Sequence, residues 1–247
     1  MSATTHPKVS TFPEPATEGF EFTEESWAEA QKHLAKYPAD HKASAVLPLL
    51  WIAQKQNGNY LTRAAIECVA STLEMAPIRV HEVAHFYSMF NHQPVGEYFV
   101  QVCRTTPCWL RGADDLAQTV QNALGVPPGE VTADGKFSWR HVECLGACCN
   151  APMVQINDWY YEDLTEEILT NLIEDLRAGR DVAIGSQQGR RGSEPENGTD
   201  TLTAIGEGGH PDYAFGNEAN VEPVAVRRAR EAAEETGETS GKGGGSQ

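Results

Sequence analysis

Basic residues are scarce in this chain: 19 Lys and Arg stand against 35 Asp and Glu, a formal net charge of -16 at pH 7 over 247 residues. A field of that sign repels nucleic acid and anionic lipid, so proteins or small molecules are the expected partners. Long apolar runs are missing, and none approaches the roughly 18 residues that a membrane-spanning helix requires. The opening stretch MSATTHPKVS has neither an apolar core nor an Arg-rich amphipathic pattern, which leads to the expectation of a cytoplasmic protein without a targeting signal. Nucleotide-binding loops are lacking as well: neither G-x-G-x-x-G nor G-x-x-x-x-G-K followed by Ser or Thr occurs. A nucleotide cofactor would therefore bind on another chain.

Hydrophobic residues make up 40% of the sequence, enough for one large domain or two small ones. Residues 1–20 are rich in Pro, Thr and Glu without periodicity and are expected to form a flexible arm. Residues 21–95 read as a small helical bundle. Thr23 caps a first helix that stops before Pro38, SAVLPLLWIAQKQ (44–56) forms a second, Thr62 caps a third, and HEVAHFYSMF (81–90) forms the fourth. From about residue 96 the pattern changes. EYFVQVC, FSWRHVEC, PMVQIND and the short Trp159 to Tyr161 read as strands, and GADDLAQTVQNALG and EEILTNLIEDLRAG as helices, the latter capped by Thr165. The order β-α-β-β-α over residues 96–180 suggests a thioredoxin-type layer, so the fold class is α+β. Residues 181–247 carry most of the glycine and few large apolar side chains, the composition of an extended or disordered tail. Within that tail VAVRRAREAAEE has the spacing of a helix that forms only when held by a neighbour.

Cysteine supplies the strongest chemical signal. Of six, Cys103 and Cys108 enclose four residues just beyond one predicted strand, and Cys144 and Cys148 enclose three just beyond the next. Loops at strand ends of a compact α/β module can lie side by side, which would bring four thiolates to one place. In a chain without an export signal, such clusters bind metal or do redox chemistry more often than they form structural disulfides. Ligand type leaves three readings open: an iron-sulfur cluster, a structural Zn(Cys)4 site, and a redox dithiol pair. Spacings of four and three, flanked by the small or flexible Thr105, Thr106, Gly146 and Ala147, suit two irons with two thiolates each better than the tight C-x2-C knuckles of zinc ribbons. Cys68, midway along a predicted helix, reads as a small buried apolar residue, and Cys149, next to Cys148, as a side chain pointing away from the others.

A second motif competes for notice. HEVAH at 81–85 matches H-E-x-x-H, in which two histidines one helical turn apart bind Zn2+ beside a general base. A working hydrolase needs a third ligand. The metzincin continuation would put glycine and histidine where Ser88 and Asn91 stand, His92 is one residue out of register, and Pro94 breaks the helix before a ligand-bearing successor can follow. His81 and His85 are read instead as flanking the apolar stripe Val80, Val83, Ala84 and Tyr87. Trp27 and Trp51 read equally as core or as a docking surface for a partner.

The stretches CRTTPCWLRG (103–112) and CLGACCNAPMVQINDWYYEDLT (144–165), with SAVLPLLWIAQKQNGNYL (44–61) and VHEVAHFYSMFNHQPVG (80–96) upstream, closely resemble the thioredoxin-like 2Fe-2S subunit of NADH-quinone oxidoreductase, respiratory complex I, which in bacteria is its E subunit. The likeness covers roughly residues 20–180. It implies Cys103, Cys108, Cys144 and Cys148 as ligands of one 2Fe-2S cluster that exchanges an electron with flavin on a partner, which also binds NADH. It further implies peripheral-arm partners and a place on the cytoplasmic face of the inner membrane, with no complete active site in this chain alone. Similar subunits occur in NAD-linked hydrogenases and formate dehydrogenases, and the match to CLGAC with NAPMVQIND favours the respiratory enzyme. Members of the family commonly have Thr where this chain has His85, and most lack so long a Gly-rich tail.

Overall fold

A computed structural model describes residues 19–190 and Arg227. The expected N-terminal arm, except its last two residues, and the tail beyond residue 190, including the VAVRRAREAAEE helix apart from Arg227, lie outside the described residues. The chain divides into two compact units, Met1–Val95 and Gly96–Gln247.

The first unit is helical. Thr23 accepts the Ser26 N-H and starts α1 (Glu24–Leu34), with Glu24 and Glu25 at the positive end of the helix dipole. A 3-10 segment, Ala39–Ala45, leads into α2 (Val46–Gln56). Thr62 caps α3 (Arg63–Leu73) on the Ala65 N-H, and Pro77 occupies the first turn of α4 (Pro77–Phe86), where its missing N-H is not needed. Leu49, Leu50, Leu61, Ile66, Val69, Leu73, Val80 and Phe90 form the core. Buried Gln54 ties α2 to the segment after α4: its amide donates to the Met89 carbonyl and its carbonyl accepts the Asn91 N-H, at 3.1 and 2.7 Å.

Helix α4 begins four residues before the HEVAH motif and ends at Phe86, because Tyr87 turns to extended backbone. Tyr87 is consequently exposed and no part of a buried stripe, whereas Val80 and Ala84 are fully buried as expected. Trp27 stays partly exposed against Phe22, and Trp51 packs at the core margin with Lys55 over its ring. Cys68 is half-buried rather than fully enclosed.

The second unit is built on a five-stranded sheet ordered β2-β1-β3-β4-β5, from β1 (Tyr98–Cys103), β2 (Phe137–Val142), β3 (Val154–Ile156), β4 (Trp159–Glu162) and β5 (Gly185–Ser186). β1 and β2 run parallel and pair Cys103 with Val142, β3 lies antiparallel to both β1 and β4, and β5 is parallel to β4. Two short helical pieces carry cysteines: α5 (Thr106–Leu110) and a 3-10 turn, Cys148–Asn150. α6 (Ala113–Leu124) and α7 (Glu166–Arg177) are amphipathic, and their buried Leu116, Val120, Leu169, Leu172 and Ile173 share one core with Val100, Val102, Phe137, Trp139 and Val154. Thr165 caps α7 through the Ile168 N-H.

Sheet formation continues past the expected start of the tail at residue 181. Ala183 and Gln187 are completely buried, Gly185–Ser186 form the edge strand, and the Gln187 N-H bonds the Glu162 carbonyl. Composition hid this because two residues supply the pairing. Buried Asp175 is held by Arg180 and, from the tail, by Arg227.

Candidate iron-sulfur site

The parallel pairing of β1 and β2 places the carboxyl ends of both strands at one edge of the sheet. Cys103 is the last residue of β1, and Cys144 follows the last residue of β2 by two, so the two cysteine segments emerge side by side. Sequence separation is removed by topology. The Arg104 N-H bonds the Val142 carbonyl at 3.3 Å and fastens the two exits together. β1 then turns into α5, which presents Cys108.

Exposure separates the four thiols into an inner and an outer pair. Cys103 and Cys108 are 2% and 1% exposed, enclosed with Ala113, Ala151 and Met153, and lined further by Leu145, Ala147 and Tyr160. Cys144 and Cys148 are exposed, with their sulfurs 3.4 Å apart. Burial pushes the Cys108 thiol up to about 12, with the hydrogen bond and charge of Cys103 acting in the same direction and Cys148 adding to them. The Cys148 thiol is raised first by its bond to Cys144, then by partial desolvation and by the charges of Cys144 and Cys103. Each pair thus acts on the other. Both shifts favour the neutral thiols, and a bound cation would oppose them by stabilising the thiolates.

The surroundings fit such a centre in two further respects. The Gly146 N-H donates to the Cys144 sulfur at 3.4 Å, and Gly146 lies at φ +88, a conformation that favours glycine. Among the described residues the Thr105 hydroxyl, in the segment between Cys103 and Cys108, is buried with no hydrogen-bond partner, which leaves its proton free to be donated. The 144–148 segment is also held from outside: the Tyr160 hydroxyl donates to the Leu145 carbonyl at 2.6 Å. Burial raises the Tyr160 phenol, with Glu162, Cys144 and Cys103 adding to it, which keeps the hydroxyl a donor.

Among the described residues no group of three Cys, His, Asp or Glu side chains is set to hold a single ion, and the four thiols stand as one enclosed and one exposed pair. Cys149 lies exposed beside Cys148, and its carbonyl accepts from Arg190 at 3.2 Å.

The HEVAH residues are engaged differently. Glu82 pairs with Arg79 at 2.7 Å, the His85 ring contacts the His81 carbonyl at 2.8 Å, and His85 stacks on His92 with ring centroids 4.0 Å apart. His81 is held below the usual imidazole range, first by burial and then by His85.

Sequence reasoning places Cys108 on a loop and misses α5, a helix of five residues too short for periodicity. It also misses the Arg190 contacts, which join residues far apart in the chain.

Comparison with known proteins agrees with this chemistry. Residues 30–177 match the family model of the thioredoxin-like [2Fe-2S] ferredoxins. The chain is 54% identical over 158 residues to the NADH-quinone oxidoreductase E subunit of Rickettsia bellii, covering 64% of this chain and 95% of that protein. It is 46% identical over 183 residues to the mitochondrial NADH dehydrogenase [ubiquinone] flavoprotein 2 of Dictyostelium discoideum, covering 74% of each. A solved NAD+-reducing [NiFe]-hydrogenase in the H2-reduced state aligns with a TM-score of 0.48 at 24% identity, over 54% of this chain and 23% of that one, too distant to bear on function. The chain belongs to the thioredoxin-like [2Fe-2S] ferredoxin family, among the homologues of the NADH-quinone oxidoreductase E subunit.

Proposed function

We propose that this chain is the electron-transfer subunit of the NADH-oxidising module of an NADH-quinone oxidoreductase, with Cys103, Cys108, Cys144 and Cys148 as the four ligands of its 2Fe-2S cluster. The observation that carries the reading is the parallel β1–β2 pairing, which delivers both cysteine segments to one sheet edge as an inner and an outer pair. When bound, the cluster supplies one-electron redox chemistry at low potential. The chain's own residues do the rest. Met153, Ala113 and Ala151 exclude water from the inner pair, while Cys144 and Cys148 hold the other side at the surface. The Gly146 and Met153 N-H groups and the Thr105 hydroxyl are among the donors available to sulfur, and such bonds raise a cluster's potential.

The partner in this reading carries flavin and NADH, since this sequence has no nucleotide loop of its own. Trp109 and Leu110, 55% and 70% exposed on the helix that bears Cys108, are the apolar residues beside the site that a docked partner would cover. Among the described residues no helix is long and apolar enough to cross a membrane. The proposed location is the cytoplasmic face of the inner membrane, within the peripheral arm. Protein purified without air separates this reading from a zinc module: visible absorption with bound iron and acid-labile sulfide supports it, and a colourless zinc protein overturns it.

A further inference from the structure

Beyond the matched family residues, the segment 186–190 folds back onto the turn that starts at Cys148, through a compact polar network. The Arg190 guanidinium donates from Nε and Nη2 to the two carboxylate oxygens of Asp163, at 3.0 and 2.6 Å. The same Nη2 reaches the Asn150 side-chain oxygen at 2.7 Å and the Cys149 carbonyl at 3.2 Å. Asp163 is buried and sits at φ +54, a left-handed conformation that aspartate tolerates better than most residues. Its N-H bonds the Asn150 carbonyl at 2.9 Å, and its carbonyl accepts from the Gln188 amide at 2.8 Å. The Ser186 hydroxyl donates to Asp163 at 2.6 Å and accepts the Arg190 N-H at 3.2 Å. Asn150 completes the circuit by donating to Glu162 at 2.6 Å. The 3-10 turn Cys148–Asn150 is therefore held at two successive residues by one planar, fork-shaped cation whose own position is fixed by a buried carboxylate.

We infer that Arg190 is a positioning residue for the outer thiol pair: through Cys149 and Asn150 it fixes the turn that presents Cys148, making the segment after α7 part of the cluster's binding frame. The inference rests on the ligand assignment above. Cys144 and Cys148 are exposed, so packing alone does not immobilise them, and Arg190 supplies two of the bonds that hold the turn bearing Cys148. Loss of the fork loosens the turn, which keeps the Asn150 bonds to the Asp163 N-H and to Glu162, while the inner pair stays enclosed.

The test compares Arg190→Ala, Arg190→Lys and a core control, Leu172→Ala, as full-length chains purified without air. Cluster loss is followed as bleaching of visible absorption under a ferrous chelator, with the EPR signal of the reduced cluster and the thermal midpoint measured on the same samples. Arg190→Ala should bleach on the order of tenfold faster and shift or broaden the EPR signal. Arg190→Lys, which keeps the charge but not the fork, should fall between it and the wild type. Leu172→Ala should lower the midpoint with the EPR signal unchanged. Bleaching of Arg190→Ala at the wild-type rate, or no faster than Leu172→Ala with an unaltered EPR signal, overturns the inference and leaves the ligand assignment standing. A Cys148→Ser chain that retains the wild-type spectrum overturns both.

Discussion

Gly96 opens the second unit, and Gly96→Ala should damage that unit severely because of what the added methyl would meet. A Cβ at this position would lie 2.4 Å from the Phe137 carbonyl carbon, 2.7 Å from its Cα and 2.7 Å from the Ser138 nitrogen. Unstrained carbon contacts are about 3.5–4.0 Å, so the overlap exceeds ~1 Å, and every atom met is backbone that no rotamer change can move. Relief requires β1 to draw away from β2 at its entry. That puts at risk the Gly96 N-H bond to the Ser138 hydroxyl at 2.8 Å and the Tyr98 N-H bond to the Lys136 carbonyl at 2.7 Å. Overpacking costs about 1–3 kcal/mol, and two weakened hydrogen bonds add roughly 1 kcal/mol each. A destabilisation of about 3–5 kcal/mol follows, which in a unit of this size lowers the midpoint by on the order of 10 °C. Circular dichroism melts and urea titrations of Gly96→Ala measure it, with Gly19→Ala, whose Cβ would meet nothing within 4 Å, as the neutral reference. Because β1 ends at Cys103, the same variant should also lose iron faster. A Gly96→Ala chain as stable as Gly19→Ala would refute the reasoning that this close approach sets the register of the site.

Three further outcomes are expected. His81 is depressed by burial, so the unfolded chain binds its proton more readily than the folded one; stability is fully present above the unfolded value of 6.5 and falls as pH drops below it. Melts between about pH 7.5 and 5.5 should show that slope and His81→Leu should flatten it, whereas an identical slope in the variant would exclude His81 as its source. Thr105→Val keeps the side-chain shape but removes the unpartnered hydroxyl, and should lower the cluster's midpoint potential by roughly 40 mV, one ordinary hydrogen bond's worth over one electron; an unchanged potential would show that the hydroxyl does not reach sulfur. Thr165→Ala removes the side chain that accepts the Ile168 N-H and should cost about 1 kcal/mol in urea titrations. A cost near zero would mean that α7 is held by packing alone.

Features carried by short-range chemistry are readable from the sequence. Thr23, Thr62 and Thr165 stand where helices begin because a hydroxyl before an amphipathic run satisfies free N-H groups, and all three accept the expected bonds. The apolar positions of β1 and the 3.6-residue stripes of α6 and α7 are equally plain. What escapes is set by tertiary structure. α5 is a single turn of TPCWL, and the 3-10 segment Ala39–Ala45 has no apolar stripe to betray it. Strand β5 consists of Gly185 and Ser186, neither a strand former, and exists because β4 offers it an edge. The spacing of Cys103, Cys108, Cys144 and Cys148 announces metal chemistry, yet nothing local indicates that one pair is enclosed and the other exposed. That division depends on Ala151 and Met153 arriving from a segment distant in the chain. Arg190 carries no motif, and its partner Asp163 lies 27 positions away.

The most direct measurement is the visible and EPR spectrum of four single serine variants, at Cys103, Cys108, Cys144 and Cys148, each beside Cys68→Ser and all prepared without air. Loss or marked distortion of the 2Fe-2S signal in each of the four, with a wild-type spectrum and about two irons per chain in Cys68→Ser, is the expected result. An intact signal in any of the four, or its disappearance in Cys68→Ser, would contradict the assignment of these two pairs as the cluster's ligands.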